Sequence, residues 1–100
     1  MIDYNEILNQ YLKEIKGTKK ELFSKTKDKA VCSKRQILWL IYKSKSPLVR
    51  YKDIVGFMKK NGYETTVSNI QQGVFKARSD INQPYFEEQR KVFDKIISDV

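Results

Sequence analysis

Apolar residues recur at intervals of three and four along nearly the whole chain, and alternation with polar neighbours is almost absent. That spacing is the helix period, so it argues against a sheet-based core and predicts an all-α fold. Gly17, the basic stretch 25–31, Ser46-Pro47, Asn61-Gly62 and Pro84 interrupt the pattern. They divide 100 residues into a compact bundle of about six helices, within the size of one domain.

The first helix is predicted from about Asp3 to Lys16, with Asp3 as N-cap and Gly17 as its end. Its stripe is Tyr4, Ile7, Leu8, Tyr11, Leu12 and Ile15. Thr18-Lys19-Lys20-Glu21 fits a capping box, which starts a short second helix carrying Leu22 and Phe23 inward. Residues 25–31 read as a basic loop. A second capping box, Ser33-Lys34-Arg35-Gln36, opens a third helix to about Lys45. Ile37, Leu38, Leu40 and Ile41 form its buried side, with Trp39 and Tyr42 on the flanks. A fourth helix runs from about Tyr51 to Lys60 and turns inward Ile54, Val55, Phe57 and Met58. The fifth runs from Glu64 or Thr65 to about Ile81, burying Val67, Ile70, Val74, Ala77 and Ile81. Pro84 starts a last helix, with Phe86, Val92, Phe93, Ile96 and Ile97 as core candidates. Residues 82–100 are expected to pack on the domain formed by residues 1–81. A dimer contact is the alternative, and a monomer is the favoured state.

The chemistry is bounded by what is missing. With no histidine, imidazole catalysis and His-containing zinc sites are excluded, and one cysteine, Cys32, permits no internal disulfide. Neither a metal nor a cofactor is expected. Tyr63 or Tyr85 as a nucleophile would lack its usual partners, and Glu87-Glu88 reads as a complement to the helix dipole after Pro84. Cys32 near Lys34 and Arg35 reads as a lone thiol, so an enzyme is not expected. No apolar run approaches the ~20 residues of a membrane span, and the first residues lack the basic-then-apolar order of a signal peptide. A cytoplasmic protein is the expectation.

The charge is concentrated. Residues 19–52 hold eleven basic and two acidic residues, a local +9 within a chain of net charge +8. A polyanion is the natural partner, because each phosphate neutralised releases condensed counterions. An anionic membrane fits less well, since the segment has no long amphipathic helix with exposed Trp or Phe. RNA fits less well too, for want of stacking aromatics on a sheet. The turn at Asn61-Gly62 joins helices four and five as a helix-turn-helix would, with the second helix in the major groove. Thr65, Ser68, Asn69, Gln72 and Lys76 then point outward, side chains suited to base edges and phosphates, and Glu64 suits cytosine N4.

These residues resemble the C-terminal DNA-binding domain, domain IV, of the bacterial replication initiator DnaA, a Trp-repressor-like helix-turn-helix class. The likeness covers Ile2 to Ile81. It lies in Ile2-Asp3-Tyr4-Asn5-Glu6-Ile7, in Leu22-Phe23-Ser24-Lys25, in Arg35-Gln36-Ile37 and in Thr65-Thr66-Val67, with a two-residue surplus between the third and fifth helices. It implies that Arg35 and Gln36 face the DNA backbone from a helix start, that Lys43 approaches phosphate, and that Lys27 takes the place of a minor-groove arginine. Thr65 and Thr66 would lie at the base-reading end. Lys25, Lys29 and Lys34 complete the expected basic surface. Tyr63-Glu64 stands where the family has the Asp-His pair that helps read its nine-base box, which leaves recognition of that box open. No Gly-x-x-x-x-Gly-Lys phosphate loop occurs. Taken as a complete chain, it is expected to be no initiator ATPase but a stand-alone double-stranded DNA-binding module in replication control or regulation, such as a phage or mobile element could encode. Taken as an excised fragment, it escapes that restriction. The competing reading is a protein-interaction module for an acidic partner, with Trp39 and Tyr42 as anchor.

Overall fold

A computed structural model describes residues 2–98. Six α-helices and one 3-10 turn make up the regular structure, and the described residues contain no strand. The helices are α1 (Tyr4–Ile15), α2 (Lys19–Leu22), α3 (Lys29–Lys45), α4 (Tyr51–Lys60), α5 (Val67–Asp80) and α6 (Glu87–Ser98), with the 3-10 turn at Pro84–Phe86 just before α6.

Helix α3 is the axle. Its 17 residues give about 25 Å of length at the standard helical rise, against molecular extents of 31 × 31 × 24 Å. Ile37, Leu38, Trp39, Leu40, Ile41 and Tyr42 are all buried in succession. A helix apolar on every side must be surrounded, and α1, α2, α5 and α6 all pack on this one. Trp39 and Tyr42 therefore belong to the core, 5 % and 0 % exposed, and not to the flanks. Tyr42 joins Tyr4, Phe23 and Phe57 in an aromatic cluster with ring centroids 4.9–6.2 Å apart, which ties together α1, the end of α2, α3 and α4. Its hydroxyl donates to the Tyr4 carbonyl at 3.0 Å, and that of Tyr11 donates to the Lys34 carbonyl at 2.9 Å.

The helix ends explain the boundaries. Asp3 caps α1, its Oδ1 accepting from the Asn5 and Glu6 amides at 3.1 Å. The far end of α1 is a Schellman motif: the Gly17 amide donates to the Leu12 carbonyl and the Lys16 amide to the Lys13 carbonyl. The left-handed residue is Lys16, φ 54°, and not the expected Gly17. Thr18 caps α2 through the Glu21 amide. Helix α3 begins a turn earlier than Ser33, because the Asp28 carboxylate accepts from the Ala30 and Val31 amides at 2.9 and 3.3 Å. A charged oxygen at a helix start satisfies two orphan donors and favours the dipole. The basic loop is thereby confined to residues 23–28, and Lys29 lies in the helix.

Residues 61–66 connect α4 to α5. Gly62, φ +85°, supplies a second Schellman turn, with the Gly62 amide donating to the Lys59 carbonyl and the Tyr63 amide to that of Met58. Thr66 is the N-cap of α5 and accepts from the Asn69 amide at 3.1 Å, so the helix starts at Val67, not at 64 or 65. Ile70, Val74, Ala77 and Ile81 are buried as expected, whereas Val67 is 45 % exposed. Gly73 lies where α5 crosses α3: a Cβ there would sit 2.6 Å from the Trp39 ring. Helix α6 rests on α1 and α3 through Ile96, with Val92, Phe93 and Ile97 half-buried and Lys95 paired to Glu14 at 2.8 Å.

Candidate nucleic-acid interface

Arg35 organises the site from inside. The sequence places it against phosphate, but it is only 2 % exposed. Its Nε donates to the Leu22 carbonyl at 2.6 Å, and its Nη2 donates to the carbonyls of Ser24 and Thr26. Its Nη1 reaches the Cys32 Sγ at 3.4 Å. The guanidinium also lies over the Tyr63 ring, 4.6 Å from its centroid. A buried cation is stable only when its donors are satisfied, and here main-chain oxygens and an aromatic face do that. One side chain thus holds the end of α2 at Leu22, Ser24 and Thr26 of the basic loop, and residue 63 of the α4–α5 connection. The loop and the approach to α5 are neighbours.

Outside this clasp stand two lysines of the loop and one at the start of α3. Lys25, Lys27 and Lys29 are exposed, and none has an acidic partner among the described residues. Their only acidic neighbour in sequence, Asp28, is turned to the α3 amides. Lys34 differs: it pairs with Glu21 at 3.0 Å. Lys43 differs more. It donates to the Val49 carbonyl and lies over the Tyr51 ring at 4.8 Å. Fourteen residues beyond Lys29 on α3, it is about 21 Å away along the axis, so it does not join the loop lysines. Gln36 is half-buried beside α5, its Cγ 3.1 Å from the position a Cβ of residue 73 would take. Arg35, Gln36 and Lys43 are therefore internal or engaged, not a free phosphate-binding row.

On α5, Ser68, Asn69, Gln72 and Lys76 are exposed, as is Glu64 ahead of the helix, and Thr65 is half-buried. The Thr66 hydroxyl is occupied by capping. Gln72 Nε2 lies 3.5 Å from Ser68 Oγ, and Lys76 pairs with Asp80 at 2.9 Å. Two more residues belong to this face. Phe75 is 51 % exposed and Gln71 is exposed. The helical period itself carries the signal for Phe75, since 68, 72 and 75 fall on one side. The free amides of the first turn of α5 add positive potential there.

Away from this face, burial shifts two tyrosines and a hydrogen bond shifts one carboxylate. The hydroxyls of Tyr11 and Tyr42 are pushed well above the ordinary tyrosine range by desolvation, reinforced for Tyr42 by Tyr4 and Asp3. Asp53 is held below the usual carboxylate range, chiefly because the Arg50 amide donates to its Oδ2 at 3.0 Å. Among the described residues no three His, Cys, Asp or Glu gather to hold a metal ion, and no helix is long and apolar enough to cross a membrane. Trp39 and Tyr42 are too deeply buried to anchor a partner. No family model matches this chain, and comparisons with curated proteins and with solved structures find no match either.

Proposed function

We propose that this chain is a double-stranded DNA-binding module. In this reading α4, residues 61–66 and α5 act as a helix-turn-helix, with α5 in the major groove. Lys25, Lys27 and Lys29 meet the phosphates or the minor groove beside it. The observation that carries the reading is the Arg35 clasp, which keeps an unpaired lysine cluster next to the start of a helix with a polar, unobstructed face. The resemblance to DnaA domain IV supports a role in replication control or regulation. Tyr63 is half-buried with its ring against Arg35, so in this reading the base preference belongs to this chain's own α5.

Fluorescence anisotropy with a random-sequence duplex, titrated with salt, tests the proposal. Log affinity should fall linearly with log salt, by about 0.9 per phosphate contacted. Replacing Lys25, Lys27 and Lys29 together by Ala should flatten that slope by about three contacts. A protein that ignores duplexes in dilute buffer, or keeps the full slope without those lysines, refutes it.

A further inference from the structure

The exposed face of α5 is unusual for a helix presumed to lie against DNA. From Glu64 to Phe75 it contains no lysine or arginine. The first cation, Lys76, is tied to Asp80 at 2.9 Å. Guanine is read chiefly by Arg or Lys against O6 and N7, and no such group is present along the first turns. What these turns offer is amides, exposed at Asn69 and Gln72, and one aromatic ring, Phe75, left 51 % exposed among polar neighbours. Amides pair with adenine N6 and N7, and an apolar ring contacts the thymine methyl. Glu64 can only accept, so the base it favours is cytosine, and it lies ahead of the helix, at the edge of any run read by α5.

Building on the DNA-binding reading above, we infer that α5 selects A·T base pairs, with adenine edges against Asn69 and Gln72 and thymine methyls against Phe75. Phe75 lies six positions beyond Asn69, about 9 Å along the helix. At 3.4 Å per base step, that spans about three consecutive pairs. The lysine cluster supplies strength on any sequence, and the uncharged face supplies preference. The two functions therefore sit on different residues and can be removed separately.

The test uses the full chain. Selection from a random duplex pool at near-physiological salt should return a core of about three adjacent A·T pairs. Binding to the selected duplex is then compared with versions carrying uracil for thymine or 7-deazaadenine for adenine. Loss of a contacted methyl should weaken the wild type about fourfold and leave Phe75→Ala unaffected. Loss of adenine N7 should weaken the wild type and spare Asn69→Ala or Gln72→Ala at the matching position. Both side chains and Phe75 are exposed, and circular dichroism of the variants verifies that the fold is kept. A G·C core, no motif at all, or equal uracil sensitivity in Phe75→Ala overturns the inference while salt-dependent binding leaves the DNA reading intact. Absence of binding to every duplex overturns both.

Discussion

Two glycines lie inside helices of this protein, and the structure predicts opposite outcomes for the same substitution. Alanine in place of a mid-helix glycine ordinarily stabilises by about 1 kcal/mol, because glycine loses more backbone freedom on folding. Gly56 in α4 meets nothing within 4 Å of an added Cβ, so Gly56→Ala should gain most of that amount. Gly73 in α5 is different. Its Cβ would lie 2.6 and 2.7 Å from two carbons of the Trp39 ring and 3.1 Å from Gln36 Cγ. Trp39 is 5 % exposed and cannot swing away, so α5 must lift from α3 at their closest crossing. Overpacking of this kind costs about 1–3 kcal/mol, and occasionally more. After the propensity gain, Gly73→Ala should lose up to about 2 kcal/mol, which lowers Tm by roughly 4–8 °C per kcal/mol in a domain of this size. Urea and thermal unfolding, followed by circular dichroism and Trp39 fluorescence, give both values. Trimming the ring should relieve the clash, so Trp39→Leu combined with Gly73→Ala should show coupling above about 0.5 kcal/mol. Were Gly73→Ala to raise Tm as Gly56→Ala does, the close crossing of α3 and α5 would be wrong.

Other substitutions probe other links. Lys16 occupies the left-handed position that glycine prefers, so Lys16→Gly should stabilise by about 0.5–1 kcal/mol in chemical denaturation, and an unchanged midpoint refutes the assigned turn. Arg35→Lys keeps the charge but not the fork that reaches three carbonyls; a loss of at least about 2 kcal/mol is expected, with weaker binding on every duplex sequence alike. A variant that binds normally would show the clasp to be dispensable. Tyr11 and Tyr42 have pKa values raised by burial, so the folded state retains protons that the unfolded chain releases. Stability from this source is whole below about pH 10 and declines as pH rises above it. Tyrosinate absorbance for these residues should therefore appear together with loss of helical signal, and independent titration near pH 10 in a folded chain would contradict the burial.

Much of the architecture is legible in the spacing of apolar residues. Period and punctuation locate α1, α4 and α6 closely, because Asp3, Asn61-Gly62 and Pro84 act locally. The start of α3 is less legible because two caps compete. Ser33 and Asp28 both qualify, and the outcome depends on burying Val31 and on bringing Arg35 to the loop carbonyls, neither of which is local. Trp39 and Tyr42 look like flanks on a helical wheel with one buried side. The unbroken run from Ile37 to Tyr42 is the signal that α3 has no exposed side there. At the site, exposed side chains such as Ser68, Asn69 and Gln72 follow from periodicity alone. Arg35 does not, since nothing in a short window distinguishes a guanidinium that meets phosphate from one that meets main-chain oxygens. Lys43 and Gln36 mislead for the same reason: their partners, Val49 and α5, come later in the chain.

Where it meets the loop, the Arg35 fastening closes on the peptide oxygens of Leu22, Ser24 and Thr26. Leu22 and Phe23 are held by the core, but the exposed side chains at 25 and 27 play no part in fixing the path of the loop. Lysines at 25 and 27 can be exchanged for neutral or bulkier groups without altering the scaffold beneath them. Attraction for a polyanion becomes an adjustable coating over a fixed form, tunable one residue at a time.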